Sequence, residues 1–251
     1  MSEAVLADGI PVWVDLAADD PDAVREFYAG LLGWEFAIGG PEVGHYSRAR
    51  VDGRDVAGIF PRPEGVPAAW TTYFYADDLD SLSAKAVAAG GSTMGEPFEV
   101  PMVGRFGIIL DPNYAAFGLW QVEGTMEPAG LQQRYGAVWW ENWAADAAKA
   151  REFYGSVFGY EAEPLEHMDY VVFSKNGTQV GASGGMGAQS TAPAIWEVYF
   201  STDDVDAACA YTESKGGSVE MPPDDSPYGR LAKCIDPFGA VFKLMTPNLN
   251  M

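Results

Sequence analysis

The chain has 251 residues, with 15 Lys and Arg against 36 Asp and Glu, a formal charge of −21. Hydrophobic residues make up 48% and aromatics 13%, enough to bury one large core or two ordinary ones, which excludes wholesale disorder. So acidic a chain, with no basic stripe, repels phosphate backbones and anionic headgroups; this excludes nucleic acid and membrane surfaces as partners and leaves small molecules or proteins.

The first residues, MSEAVLADGIPVWVD, carry no basic region followed by an apolar stretch, and no window approaches the roughly 18 apolar residues of a membrane span. The expected compartment is the cytoplasm. Cys209 and Cys234 have no CxxC spacing and no histidine near either, so reduced, partly buried thiols are expected rather than a disulfide framework or a thiolate metal site.

In chain order, Pro11 to Leu16 reads as a strand. Asp20-Pro21 then supplies an N-cap carboxylate and a proline at the first helical position, and Val24, Phe27, Tyr28 and Leu31 form one helical stripe that Gly33 ends in the left-handed conformation. His45 to Val51 and Asp55 to Phe60 read as strands about the hairpin signal Asp52-Gly53. The order restarts with a strand from Trp70 to Ala76, a helix capped by Asp78 and running through Ala89, and a hairpin of Arg105 to Leu110 and Ala116 to Val122 about Asp111-Pro112-Asn113-Tyr114.

All of this is then said again. Trp13-Val14-Asp15 returns as Trp139-Trp140-Glu141, the run from Arg25 to Gly30 as that from Arg151 to Ser156, and Gly90-Gly91-Ser92 as Gly216-Gly217-Ser218, each at an offset of 126. Gly104-Arg105 and Asp111-Pro112 return as Gly229-Arg230 and Asp236-Pro237 at 125. Two homologous halves follow, residues 8–124 and 134–248, joined by a linker at 125–133. Four strand–helix–strand modules imply an α+β protein with curved, mixed sheets and helices on the outer faces.

These elements, repeated in the same order, resemble the vicinal oxygen chelate superfamily, which includes glyoxalase I, extradiol dioxygenases, fosfomycin-modifying enzymes and bleomycin-binding proteins. The first strand and the Gly-Arg-Phe and Ala-Ala-Phe-Gly-Leu-Trp segments resemble the tandem actinobacterial members of this size, labelled hydroxylase-like or glyoxalase-like. The resemblance implies paired βαβββ modules whose sheets curl into cups, where active members hold a divalent metal. At the positions it assigns to the ligands stand Trp13 and Trp139, Thr71 and Glu197, Gly118 and Lys243, and, near the remaining position, Gly58 and Ala182. Of these only Glu197 suits a metal, and the two histidines, His45 and His167, do not align with each other. No metal ligand set and no cofactor is therefore expected.

Strand alternation instead puts Asp15 beside Trp13, Glu141 beside Trp139, and Glu197 on a face with Tyr199 and Ser201. With Tyr73, Tyr75 and Trp120 these give aromatic walls with a few carboxylates, suited to a flat, largely apolar metabolite, aromatic or polyketide-like. The expected site is thus Glu197, Glu141 and Asp15 for acid–base work, with Trp13, Trp139, Thr71, Tyr73, Tyr199 and Trp120 as walls. Arg105 and Arg230 either clamp a ligand carboxylate or pair with a carboxylate of the chain. Asp77-Asp78 and Asp203-Asp204 sit where helix caps belong. Module pairing stays open: Asp15 shares a cup with Thr71 and Glu141 with Glu197, or the partners exchange. The competing readings are a metal-dependent glyoxalase, dioxygenase or hydroxylase-like enzyme with atypical ligands, and an acidic interaction module with filled cups. A monomer is compatible with either, because the tandem chain supplies both halves.

Overall fold

The computed structural model describes residues 6–100, 103–123 and 134–247; the expected linker at 125–133 lies outside them. The first module contains β1 (Pro11–Ala18), α1 (Pro21–Leu32), β2 (Glu35–Ile38), β3 (Ser47–Val51) and β4 (Arg54–Pro61), with a 3-10 turn at Pro41–Val43. The second contains β5 (Trp70–Tyr75), α2 (Leu79–Ala88), β6 (Ser92–Thr93), β7 (Phe98–Val100), β8 (Gly104–Leu110) and β9 (Ala116–Val122). The third contains β10 (Ala137–Ala144), α3 (Ala147–Phe158), β11 (Glu161–Pro164), β12 (Tyr170–Lys175) and β13 (Thr178–Gly185). The fourth contains β14 (Ile195–Ser201), α4 (Val205–Ser214), β15 (Ser218–Ser226), β16 (Gly229–Ile235) and β17 (Val241–Pro247). The architecture is α+β, with two mixed sheets of nine and eight strands.

Local chemistry sets the helix ends as the sequence predicts. The side chains of Asp20, Asp78, Asp146 and Asp204 each accept a backbone N–H from the residue three further on, a cap worth about 1 kcal/mol. Gly33 and Gly159 close α1 and α3 with φ of 69°, a conformation in which a side chain would be strained. Asp52-Gly53 and Asn176-Gly177 all have positive φ, the geometry of a two-residue hairpin whose twist matches its strands. The strand expected from His45 begins only at Ser47, because His45 itself sits at φ 60°. Asp77 and Asp203 do not cap: the backbone N–H of Asp77 donates to Asp8, and Asp203 holds Arg134 and Tyr135.

Within each module the last strand returns parallel to the first: β4 beside β1, β9 beside β5, β13 beside β10, β17 beside β14. The inner strands are antiparallel hairpins. The chain clusters into two compact units, one around residues 71–123 and 140–196, the other around 13–70 and 197–247. Each unit therefore takes one module from each half.

A buried Trp–Tyr–Asp chain recurs in both units. In one, Trp70 Nε1 donates to Tyr28 Oη at 3.0 Å and Tyr28 donates to Asp236 Oδ2 at 3.0 Å. In the other, Trp196 Nε1 donates to Tyr154 Oη at 2.7 Å and Tyr154 donates to Asp111 Oδ2 at 3.0 Å. The aspartate of each Asp-Pro turn also accepts two backbone N–H groups of its own turn. A turn signal in the sequence is thus also the anchor of a helix tyrosine from the other half. Phe74 and Phe200 pack in the same two cores. Cys209 and Cys234 are buried free thiols with Sγ atoms 3.8 Å apart. Among the described residues no helix is long and apolar enough to cross a membrane.

Candidate functional site

Asp15 is 4% exposed on β1, opposite Gly58 of β4. Tyr46, just before β3, donates to Asp15 Oδ2 at 3.2 Å and accepts from Trp13 Nε1 at 2.6 Å, while its ring stacks on Phe60. Burial first, and then the charge of Asp15, push the Tyr46 hydroxyl well above the usual tyrosine range, so at neutral pH it remains a donor. Gly58 makes this approach feasible, since a Cβ there would lie 1.8 Å from the Tyr46 hydroxyl. Gly58→Ala is expected to break the link and cost about 1–3 kcal/mol of stability in urea unfolding; an unchanged midpoint would show that the contact is dispensable.

The third module repeats the arrangement. Tyr170 donates to Glu141 Oε1 at 2.6 Å, and Trp143 Nε1 donates to Glu141 Oε2 at 2.9 Å. The tyrosine–carboxylate pair is kept; here an indole two residues after the carboxylate donates to the carboxylate itself, whereas Trp13 donates to the hydroxyl of Tyr46. Trp139, the expected wall, is half-buried on the same strand.

The second and fourth modules differ sharply. In the second, Tyr73 packs edge-on to Phe106 and Trp120, with centroids at 5.8 and 5.6 Å. Gly118 lies opposite Tyr73, and a Cβ there would strike its ring at 2.0 Å. Thr71 is half-buried at the start of β5. In the fourth, the place of Gly118 is taken by Lys243, opposite Tyr199. Lys243 Nζ lies 2.8 Å from Glu197 Oε2 and donates to Tyr199 Oη at 3.1 Å, and both Lys243 and Glu197 are 3% exposed. Lys233 Nζ takes the other Glu197 oxygen at 2.8 Å and also pairs with Glu220. Burial acts to lower Lys233, but its hydrogen bonds to Glu197 and Glu220 outweigh that and hold the ammonium above its ordinary value. Glu197 thus lies buried between two ammonium groups, charge partners that the sequence reading of an acid–base residue on a face with Tyr199 did not include.

Arg105 is held by Asp80 and Glu99, and Arg230 by Asp206 and Asp225, the pairing alternative of the sequence reading. His45 and His167 are exposed. A separate cleft of about 590 Å³ opens beside Tyr211, Arg134 and Asp203; none of the expected site residues lines it.

Comparison with known proteins bears on this geometry. Residues 141–244 match the Glyoxalase/Bleomycin resistance protein/Dioxygenase superfamily, and residues 12–119 match the Glyoxalase-like domain. The anthracycline biosynthesis protein DnrV of Streptomyces peucetius is 34% identical over 258 residues, covering 95% of this chain and 94% of the relative. A Mycobacterium tuberculosis relative, whose name offers glyoxylase only provisionally, is 37% identical over 255 residues, covering 95% of each. The chain belongs to the vicinal oxygen chelate superfamily. Among solved members of the fold, the Mn(II)-bound glyoxalase from Novosphingobium aromaticivorans is 16% identical with a TM-score of 0.65, covering 96% of this chain and 82% of that one. The 2,3-dioxygenase LapB from Pseudomonas sp. KL28 is 15% identical with a TM-score of 0.67, covering 99% and 96%. At these identities the likeness is one of fold.

The donor set does not fit the divalent metal that this fold implies. A vicinal oxygen chelate site needs three or four anionic or imidazole donors around one point. Among the described residues no group of three or more His, Cys, Asp and Glu could hold an ion. The chemistry at Glu197 argues in the same direction: its carboxylate is already compensated by two ammonium groups, one of them on Lys243. The sequence reading named Glu197, Asp15 and Glu141 but not the residues that the structure pairs with them, Tyr46, Tyr170, Trp143 and Lys233. Tyr46 and Tyr170 did carry a signal, because they align with each other in the repeat.

Proposed function

We propose that this chain binds a planar aromatic or polyketide-like metabolite without a divalent metal. The observation that carries the reading is the contrast between the second and fourth modules: where one presents an aromatic wall of Tyr73, Phe106 and Trp120, the other fills the ligand positions with the ion pair of Glu197 and Lys243. Flat rings gain from contact with flat rings, each burying of order 150–250 Å². The name of the Streptomyces peucetius relative, an anthracycline biosynthesis protein, supports a polycyclic guest. Trp13 and Trp139 are read as further wall, and Arg105 and Arg230 as structural partners of their acidic neighbours.

The two tyrosine–carboxylate pairs are the groups suited to proton transfer. Asp15 or Glu141 would take a proton from an enolisable C–H and return it to the enolate oxygen or to a conjugated carbon, an isomerisation that needs no oxidant or reductant. Glu197, tied to two lysines, is read as a charge partner. The test is thermal melting in the presence of a chelator. A tricyclic aromatic at about 100 times its dissociation constant should add about 2.7 kcal/mol of stability, whereas a saturated hydrocarbon of equal size should add little. A shift seen only when divalent metal is supplied would defeat the proposal.

A further inference from the structure

Three rings form a row across β7, β8 and β9. Phe98 lies opposite Phe106 and Phe106 opposite Trp120 in the strand register. Successive centroids are 5.1 and 5.7 Å apart and the planes differ by 18° and 23°, an offset-stacked ladder. Its outer ring, Phe98, is 58% exposed, while its inner ring, Trp120, is 7% exposed. The fold does not require this row. At the corresponding places in the fourth module, Asp224, Leu231 and Met245 lie opposite one another in the same register, so the same strands form without a single ring. The row therefore offers one open ring, Phe98, continuous with rings that lead inward to Trp120.

A second feature lies at the buried end. Trp120 Nε1 is buried and meets no hydrogen-bond acceptor among the described residues. An indole N–H is a donor only, and a buried donor left unpaired is rare and costly. An acceptor from outside the chain would satisfy it.

We propose that the row is a recognition surface for a planar polycyclic ketone: the flat skeleton lies against Phe98, Phe106 and Trp120, and a ring carbonyl oxygen accepts the hydrogen bond from Trp120 Nε1. This rests on the proposed function and narrows it, making Trp120 the residue that distinguishes a carbonyl-bearing guest from a bare aromatic hydrocarbon. A site that satisfies a buried donor in this way rejects the analogue lacking the acceptor.

The probes are 9-fluorenone and fluorene, which share a tricyclic skeleton and differ in the carbonyl, titrated into the full chain with tryptophan fluorescence as the readout. The wild type should bind fluorenone about tenfold more tightly than fluorene, the size expected of one hydrogen bond. In Trp120→Phe, which keeps a ring and removes the N–H, the preference should fall to within about twofold whatever the loss common to both probes, and the urea midpoint of the ligand-free variant reports its integrity. Preference retained in Trp120→Phe, or no preference in the wild type, would overturn the assignment to Trp120 and leave aromatic binding standing. Absence of saturable binding by both probes would overturn the proposed function and this inference together.

Discussion

Replacing Lys243 by methionine is expected to destabilise the protein by about 3 kcal/mol, measured by chemical unfolding. Glu197 and Lys243 are each 3% exposed and 2.8 Å apart. Removing one partner of such a pair strands a buried charge, which typically costs about 3–5 kcal/mol. The lower figure applies because Lys233 continues to hold the other oxygen of Glu197. For a chain of this length the melting temperature should drop by about 6–12 °C. The double variant Lys243→Met with Glu197→Gln removes the stranded charge and should recover most of the loss. A single variant that melts with the wild type, or a double variant worse than the sum of the two singles, would show that the pair does not bear this load. Lys233→Ala should cost less, since its side chain is 23% exposed and its second partner, Glu220, is 46% exposed.

Asp236→Ala should have an effect of similar size for a different reason. Its Oδ1 accepts the N–H of Phe238 and of Ala240, both at 2.9 Å, and its Oδ2 accepts from Tyr28. Truncation leaves these donors without their acceptor in a buried setting, at about 1–3 kcal/mol each and less than additively, for a total of about 3–5 kcal/mol. Asp111→Ala should behave alike in the other unit, because Tyr154 and Trp196 depend on it in the same manner. A loss confined to one of the two variants would contradict the equivalence.

The same aspartates give a pH signature. Burial raises the carboxyls of Asp111 and Asp236 above their ordinary value, with hydrogen bonds to their own turns opposing that rise. In the unfolded chain an aspartate titrates near about 3.9. Between that value and the higher folded one, the unfolded state has released a proton that the folded state keeps. Stability from these groups is thus fully present below the unfolded value and is lost as pH rises through the folded value. Subtracting the pH profile of Asp236→Asn from that of the wild type should leave a wild-type stability that declines upward from about pH 4. A difference that is flat or rises would reverse the assigned shift.

The fold was legible because it rests on local signals stated twice. Asp20-Pro21, Gly33, Asp52-Gly53 and Asp111-Pro112 each specify a cap or turn from a few adjacent residues, and the structure uses them in those roles. The two-residue strand β6 and the 3-10 turn at Pro41–Val43 were not legible, since segments so short and polar show no period. Half of the candidate site was legible for the same reason: Asp15, Glu141 and Glu197 follow from strand alternation. Their partners were not. Tyr46 reaches Asp15 across 31 positions, and Lys233 reaches Glu197 across 36, and such pairings depend on strand register that no local pattern encodes. Trp143 shows a different gap: alternation puts it on the face of Glu141 and Trp139, but nothing in the local pattern says that its indole donates to that carboxylate.

Two lysine ammonium groups, on Lys233 and Lys243, compensate Glu197 in place of a divalent cation. Calorimetric titration of the metal-stripped protein with Mn(II) should therefore give no saturable heat near one ion per chain and leave the melting temperature unchanged. A stoichiometric site that disappears in Glu197→Gln would mean that the carboxylate binds a metal after all.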